Sequence, residues 1–171
     1  MASLFGHGLL GYTLSKIADN KSNRLLVLLA IGSAILPDID VLAFNFSIPY
    51  SHPFGHRGFT HSIVFALLWA GVLALTVDKS RKPLFFVTLF FATVSHGILD
   101  ALTTGGRGVG FFIPFNMERF FFPFRPIKVS PIGMSKFFSN WGFQVIISEL
   151  KYIAIPCVLV LVFLYLLKRK Q

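Results

Sequence analysis

The sequence predicts an all-α polytopic membrane bundle: about four spanning helices, a short N-terminal helix and a long outer loop. Two observations carry this expectation. Hydrophobic residues make up 54% of the 171-residue chain and charged residues only 13%, against about 25% charged in a soluble domain; the mean hydropathy is +0.71. The apolar residues also fall in blocks bounded by short basic clusters, Lys16/Lys21/Arg24, Lys79/Arg81/Lys82 and Lys168/Arg169/Lys170, the flanking pattern of membrane helices. The net charge of +9 therefore reads as membrane topology, and nucleic acid is not an expected partner. The length suits a single domain over residues 1–171.

Residues 4–18 form an amphipathic stretch too short to cross a bilayer fully, read as a tilted or half-membrane helix. The lack of a basic leader, and the His7 and glycines within this stretch, argue against a cleavable signal peptide. Residues 25–46, 60–77, 84–102 and 143–167 are the candidate crossings, at roughly 20 apolar positions each. With no water to satisfy backbone groups, each is helical. Pro37 lacks a backbone donor and breaks the first crossing; Thr60 is the expected cap of the second. Residues 105–140 form one long connection rich in Gly, Pro and Phe, a length that marks a lid or functional loop. Its Phe-rich part, residues 111–124, is expected in the membrane interface. Cys157, the single cysteine, lies in an apolar run and reads as a packing residue. The positive-inside rule puts the three basic clusters in the cytoplasm, so residues 47–59 and 105–140 face the opposite side. Arg107, Arg119, Arg125, Lys128 and Lys136, set against Glu118 alone, weaken that bias.

Only seven residues are acidic, and charge within a membrane span is costly and usually functional. Asp19 and Asp78 sit beside basic residues in short turns and read as solvated. Asp38, Asp40 and Asp100 lie in or at the ends of spans. At about 1.5 Å of rise per residue from the cytoplasmic ends, Asp38 lies roughly 20 Å up, His96 roughly 18 Å, His61 roughly 24 Å and His7 roughly 17 Å. Four segments thus bring His or Asp to one depth, in the outer half of the bilayer. His96 and Asp100 stand four apart, on one helix face. Asp38 and Asp40 can converge at the Pro37 break, and His56 and His61 bracket a loop and a helix start.

His7, Asp38, Asp40, His56, His61, His96 and Asp100 are more ligands than one tetrahedral ion needs. They suit two divalent metals, zinc by ligand type, with manganese or iron compatible. Glu149 is a possible further ligand; its other reading is an interfacial ion pair with Lys151. His52 has no partner motif and reads as structural. Arg57, between two candidate ligands, and Arg119, Arg125 and Lys128 in the outer loop are candidates for binding phosphate. Attraction to anionic head groups is the other reading of the last three.

At these residues the sequence resembles the membrane-bound metal-dependent hydrolase family, the YdjM-like group. The matching pieces are His7, Leu36-Pro37-Asp38-Ile39-Asp40, His56-Arg57-Gly58-Phe59-Thr60-His61-Ser62, Ser95-His96-Gly97-Ile98-Leu99-Asp100-Ala101-Leu102-Thr103, and the segment from Phe122 to Gly133. The resemblance covers nearly the whole chain and implies a multi-helix protein of the bacterial inner membrane with hydrolase activity. The His96–Asp100 spacing is also distantly similar to a metal-binding pair of zinc-dependent phospholipase C. That enzyme uses its mature N-terminal tryptophan as a ligand; this chain has no equivalent near His7, which favours two ions over three.

The resulting expectation is a phosphoesterase acting on a phospholipid-type membrane lipid through metal-activated water. Asp38, or alternatively Asp40, would orient or deprotonate the water, and Arg57 would stabilise developing charge. Amide or ester hydrolysis at the same metals is an alternative. An ion or proton transporter is another, but residues 25–32, 66–77 and 84–91 are almost wholly apolar and leave no polar path to the cytoplasm.

Overall fold

Local capping chemistry sets where the helices begin. In the computed structural model, which describes residues 1–19, 23–77, 80–131 and 139–169, Ser3 accepts from the Gly6 N–H and opens α1 (Leu4–Ala18). Asn23 accepts from Leu25 and Leu26 and opens α2 (Arg24–Ile35). Ser62 accepts from Phe65 and opens α3 (Ile63–Thr76). The expected cap, Thr60, instead lies in a 3-10 turn, Phe59–His61, where its hydroxyl donates to Asp40. The long α4 (Lys82–Ala101) follows. Ser139 opens α5 (Asn140–Glu149) three residues before the expected start. A π-helical turn, Leu150–Ala154, joins α5 to α6 (Ile155–Arg169). Lys21, Asp78, Lys79, Lys136 and Lys170 of the charge pattern, and Ile132 and Gly133 of the last motif, lie outside the described residues.

Three helical stretches are long and apolar enough to cross a membrane: Arg24–Phe46, Lys82–Ala101 and Asn140–Arg169. Ile63–Thr76, within the expected crossing over 60–77, is apolar but shorter. Asp19 is not a free solvated charge: its carboxylate pairs with Arg81 at 2.8 Å, tying the end of α1 to the start of α4. That contact puts the Lys16, Arg24, Arg81 and Lys82 side chains toward one end of the bundle. α1 and the last helix run in parallel, since Glu149 meets Ser3 and Ile153 meets Gly6. Lys168 and Arg169 therefore lie toward the same basic end.

α4 packs against α1, α2 and α3, and the core between them is built from small residues facing large ones. Ala66, Ala70 and Ala74 form a stripe at four-residue spacing on α3; Ala70 and Ala74 share one core with Leu26, Ala30 and Ala34 of α2 and Phe85, Leu89 and Ala92 of α4. Small residues let membrane helices approach closely. The tightest case is Gly11, where a Cβ would stand 2.6 Å from the Ala30 carbonyl oxygen. A second apolar cluster, Ala2, Leu99, Ile127, Ile153 and Cys157, joins the chain start, α4, the long connection and the last helix. Cys157 is thus a packing residue. Many large apolar side chains remain exposed, among them Leu28, Leu68, Val72, Phe91 and Phe163, as a surface solvated by lipid requires.

The connection after α4 is a clasp rather than a free lid. Phe122 N–H donates to Ala101, Ile127 N–H to Leu102, Ile63 N–H to Phe111 and Gly110 N–H to Arg57, all backbone to backbone. Val109 and Phe120 form an antiparallel bridge within it. Its outward rings, Phe112, Phe115, Phe122 and Phe124, are exposed, consistent with an interfacial position.

Candidate metal centre

Pro37 shapes the site. After α2 the chain winds as a 3-10 helix, Leu36–Phe46, with three residues per turn. Pro37, Asp40 and Ala43 are the buried edge, while Ile39 and Leu42 face outward. Asp38 stands on the third edge, its side chain 12% exposed. Pro37 offers no N–H to the carbonyl three residues before it. That carbonyl, of Ala34, accepts from His96 Nδ1 at 2.7 Å. A carbonyl only accepts, so His96 Nδ1 carries the proton and Nε2 presents a lone pair.

His61 is held in the same manner from a different element. Its Nδ1 stands 3.1 Å from Asp40 Oδ2, a carboxylate–histidine pairing that fixes ring orientation and raises the basicity of the other nitrogen. Asp40 Oδ2 also accepts from the Arg57 N–H at 2.9 Å and the Thr60 hydroxyl at 2.7 Å. Its Oδ1 pairs with His56 Nδ1 at 2.6 Å. Four groups thus claim the two oxygens of Asp40.

Four side chains converge in front of these supports. One donor atom each from Asp38, His61, His96 and Asp100 lies within 4.8 Å of the others. His96 Nε2 stands 3.4 Å from Asp38 Oδ1, and His61 Nε2 stands 3.6 Å from Asp100 Oδ2 and 4.0 Å from Asp38 Oδ1. Two ligands about 2.1 Å from one ion in tetrahedral array are about 3.4 Å apart. Asp38 Oδ1, His61 Nε2 and His96 Nε2 are buried without a hydrogen-bond partner, while Asp100 Oδ2 is buried against Arg57 Nε at 2.9 Å. Buried polar atoms are almost always satisfied, so three unpartnered atoms and a carboxylate oxygen facing one point fit a divalent cation. The set of two imidazoles and two carboxylates suits zinc and is compatible with manganese or iron. His7 is adjacent: its ring stacks on His96 at 3.7 Å, and its Nε2 is 3.5 Å from Asp100 Oδ1. Both nitrogens of His7 are also unpartnered.

The other candidate residues fall elsewhere. Asp38, Asp40 and His56 make a second close trio, but the Asp40 oxygens are already occupied, so Asp40 and His56 support the site rather than open onto it. Arg57 is fully buried at a left-handed φ of 62°. Its Nε stands 2.9 Å from Asp100 Oδ2, and its Nη atoms donate to the Gly105 carbonyl and the Thr103 hydroxyl. The expected phosphate-gripping Arg57 is thus spent on its own fold. Gly106, at φ +94°, makes room for it: a Cβ there would be 2.7 Å from Arg57 Nη1.

Arg119 is likewise engaged, donating to the carbonyls of His56, Tyr50 and His52. Beside it, burial raises the Tyr50 phenol above its ordinary pKa. Arg125 lies over the Phe121 ring at 4.7 Å, and Lys128 over Trp141 at 5.6 Å. Glu149 is neither in the cluster nor paired with Lys151. It is buried and accepts from the Ser3 N–H and hydroxyl, anchoring the start of α1. His52 Nδ1 accepts from Phe54 N–H in a local turn. Residue type alone does not announce the roles of the Ala34 carbonyl or of Ala2, whose N–H donates to Asp100 Oδ1 at 2.7 Å.

These features define a class: an all-helical membrane protein with a buried His/Asp cluster at one end of its bundle. The chain belongs to the YdjM inner membrane protein family, whose model matches residues 1–171. It is 43% identical over 148 residues to inner membrane protein YbcI of Escherichia coli (strain K12), which covers 84% of this chain and 85% of that protein. No solved structure matches it. With its apolar helices, the chain is an integral protein of the inner membrane.

Proposed function

We propose that this protein is a membrane-embedded, metal-dependent hydrolase whose ion is held by Asp38, His61, His96 and Asp100. The supporting observation is the convergence of four buried donor atoms from three separate chain segments, of which Asp38 Oδ1, His61 Nε2 and His96 Nε2 have no hydrogen-bond partner. When bound there, a divalent cation supplies Lewis acidity and an activated water. The chain's own groups do the rest. Asp40 and the Ala34 carbonyl hold His61 and His96 in register; Arg57 holds Asp100 and balances its charge. Asp38 is the member of the set that is not fully buried, so its carboxylate is the group positioned to take a proton at the opening. His7 is in reserve beside the set. One ion fits this arrangement better than the expected two. A second ion between Asp38, Asp40 and His56 would require Asp40 to give up a bonded donor.

The substrate we assign is a membrane lipid, cleaved at a phosphoester. Asp38 sits on the 3-10 edge next to exposed Ile39 and Leu42, within a membrane-spanning stretch, so a reactant reaching it comes from lipid. The expected similarity to zinc-dependent phospholipase C has no support beyond the His96–Asp100 spacing and does not carry this reading. The basic clusters at the opposite end support placing the cluster toward the non-cytoplasmic side. The transporter alternative is disfavoured by the apolar plug of Leu26, Ala30, Phe85 and Leu89 on the basic side of the cluster.

The test is chelation and reconstitution of the purified protein, with matched phosphoester and acyl-ester lipids as substrates. Expected are loss of phosphoester cleavage on chelation and its return with zinc. Activity on acyl esters alone would reject the phosphoester assignment, and activity indifferent to chelator would reject the metal.

A further inference from the structure

We propose that a basic pocket on the lipid-facing side of the last helix binds the phosphate group of a membrane phospholipid. The proposal stands apart from the hydrolase reading, since no residue lining the pocket belongs to the His/Asp cluster. The pocket, of about 260 Å³, is lined by Lys128, Gln144, Ile147, Ser148, Lys151 and Tyr152. That is smaller than the roughly 300–1,000 Å³ of sites that enclose a drug-sized ligand, and suits a head group whose remainder stays outside.

Two separate elements build it. Gln144, Ile147 and Ser148 of α5 and Lys151 of the π-helical turn after it recur at helical spacing on one face. Lys128 arrives from the connection, fixed by its N–H to the Ser148 hydroxyl at 2.9 Å and by the preceding Ile127, bridged to Thr103. Lys151 lies within the membrane-crossing stretch Asn140–Arg169, where an uncompensated charge is costly. Among the described residues, neither lysine forms an ion pair with a carboxylate. Glu149, the nearest in sequence, is turned to Ser3 on the other side.

What the ammonium groups do meet is aromatic. Lys128 Nζ lies 5.6 Å from the Trp141 ring centroid and Lys151 Nζ 5.1 Å from that of Tyr152. Trp and Tyr beside Lys are the residues of the head-group layer, and basic pockets between membrane helices bind anionic head groups. A phosphate between the two lysines supplies the missing counter-charge. Exposed Ile147 and Leu150 alongside offer apolar surface to the acyl chains, which favours a lipid over free phosphate.

Trp141 reports on the site. The other tryptophan, Trp69, bonds Ser33 elsewhere in the bundle, so Trp69→Phe leaves Trp141 as the sole indole. This protein, in zwitterionic detergent, would be titrated with phosphatidylglycerol, with phosphatidylcholine and with inorganic phosphate. Expected is a saturable change in Trp141 emission with phosphatidylglycerol, weakened tenfold or more by Lys128→Gln or Lys151→Gln and kept by Lys151→Arg. Circular dichroism verifies the fold of each variant. Equal responses to both lipids, or an unchanged response in both Gln variants, would overturn the site. Saturation by inorganic phosphate at the affinity of the lipid would overturn the lipid assignment.

Discussion

His61 and His96 reach the cluster with their rings already oriented, one by a carboxylate and one by a carbonyl. The difference has a consequence. A carbonyl fixes a tautomer, whereas Asp40 also raises the basicity of its imidazole and holds His56, Thr60 and the Arg57 N–H. Asp40→Asn should therefore weaken zinc affinity about 10- to 100-fold, the usual cost of losing such a supporting group, while helix content by circular dichroism stays unchanged. Competition with a chromogenic chelator measures it; a change under twofold would remove Asp40 from the supporting role. All seven candidate ligands were legible in the sequence because charge is rare in apolar spans. Their division into open and supporting groups was not. It depends on the turn at Arg57, whose positive φ lets its own N–H meet Asp40 while its side chain meets Asp100. Nothing in residue type announces that turn.

At the scale of elements, the boundaries of α1 and α4 were readable from apolar blocks and flanking lysines. The break at Pro37 was readable too, but not the eleven-residue 3-10 helix that follows it. That winding rests on a buried edge of period three, in a stretch whose apolar content also suits an α-helix. It decides the chemistry, because it turns Asp40 inward and sets Asp38 at the opening. Pro37→Ala restores an N–H and removes the reason for the break. The expected outcome is an α-helical continuation of α2, recapture of the Ala34 carbonyl and a His96 without its acceptor. Zinc affinity should fall about tenfold or more, with thermal stability in detergent unchanged or higher. Wild-type affinity in this variant would show that the 3-10 winding is not what positions the site. The π-helical turn at Leu150–Ala154 was equally hidden; it follows directly on Glu149, the carboxylate that ties the last helix to Ser3.

Over the whole molecule, basic residues lie at both ends, but in different surroundings. The described basic residues Lys16, Arg24, Arg81, Lys82, Lys168 and Arg169 belong to the end away from the cluster. At the cluster end, Arg57 is neutralised by buried Asp100 and Arg119 is clamped on three carbonyls. Of the contrary charges that weakened the sequence expectation, Arg119 is thus a structural residue. Phe115, at the tip of the clasp, is 86% exposed. In a Cys157→Ser background, Phe115→Cys should react with a membrane-impermeant maleimide in intact spheroplasts. Labelling only after lysis would invert the orientation. The apolar helical stretches follow from hydropathy, but the clasp does not. Its contacts are backbone bonds between segments far apart in sequence, which no local pattern encodes.

Anomalous diffraction at the zinc, iron and manganese edges from a crystal of the protein purified without chelator tests the central assignment most directly. One peak is expected, within bonding distance of Asp38 Oδ1, His61 Nε2, His96 Nε2 and Asp100 Oδ2, with Asp40 outside the coordination sphere. No peak at these atoms, or a peak held by Asp40 and His56 instead, would contradict it.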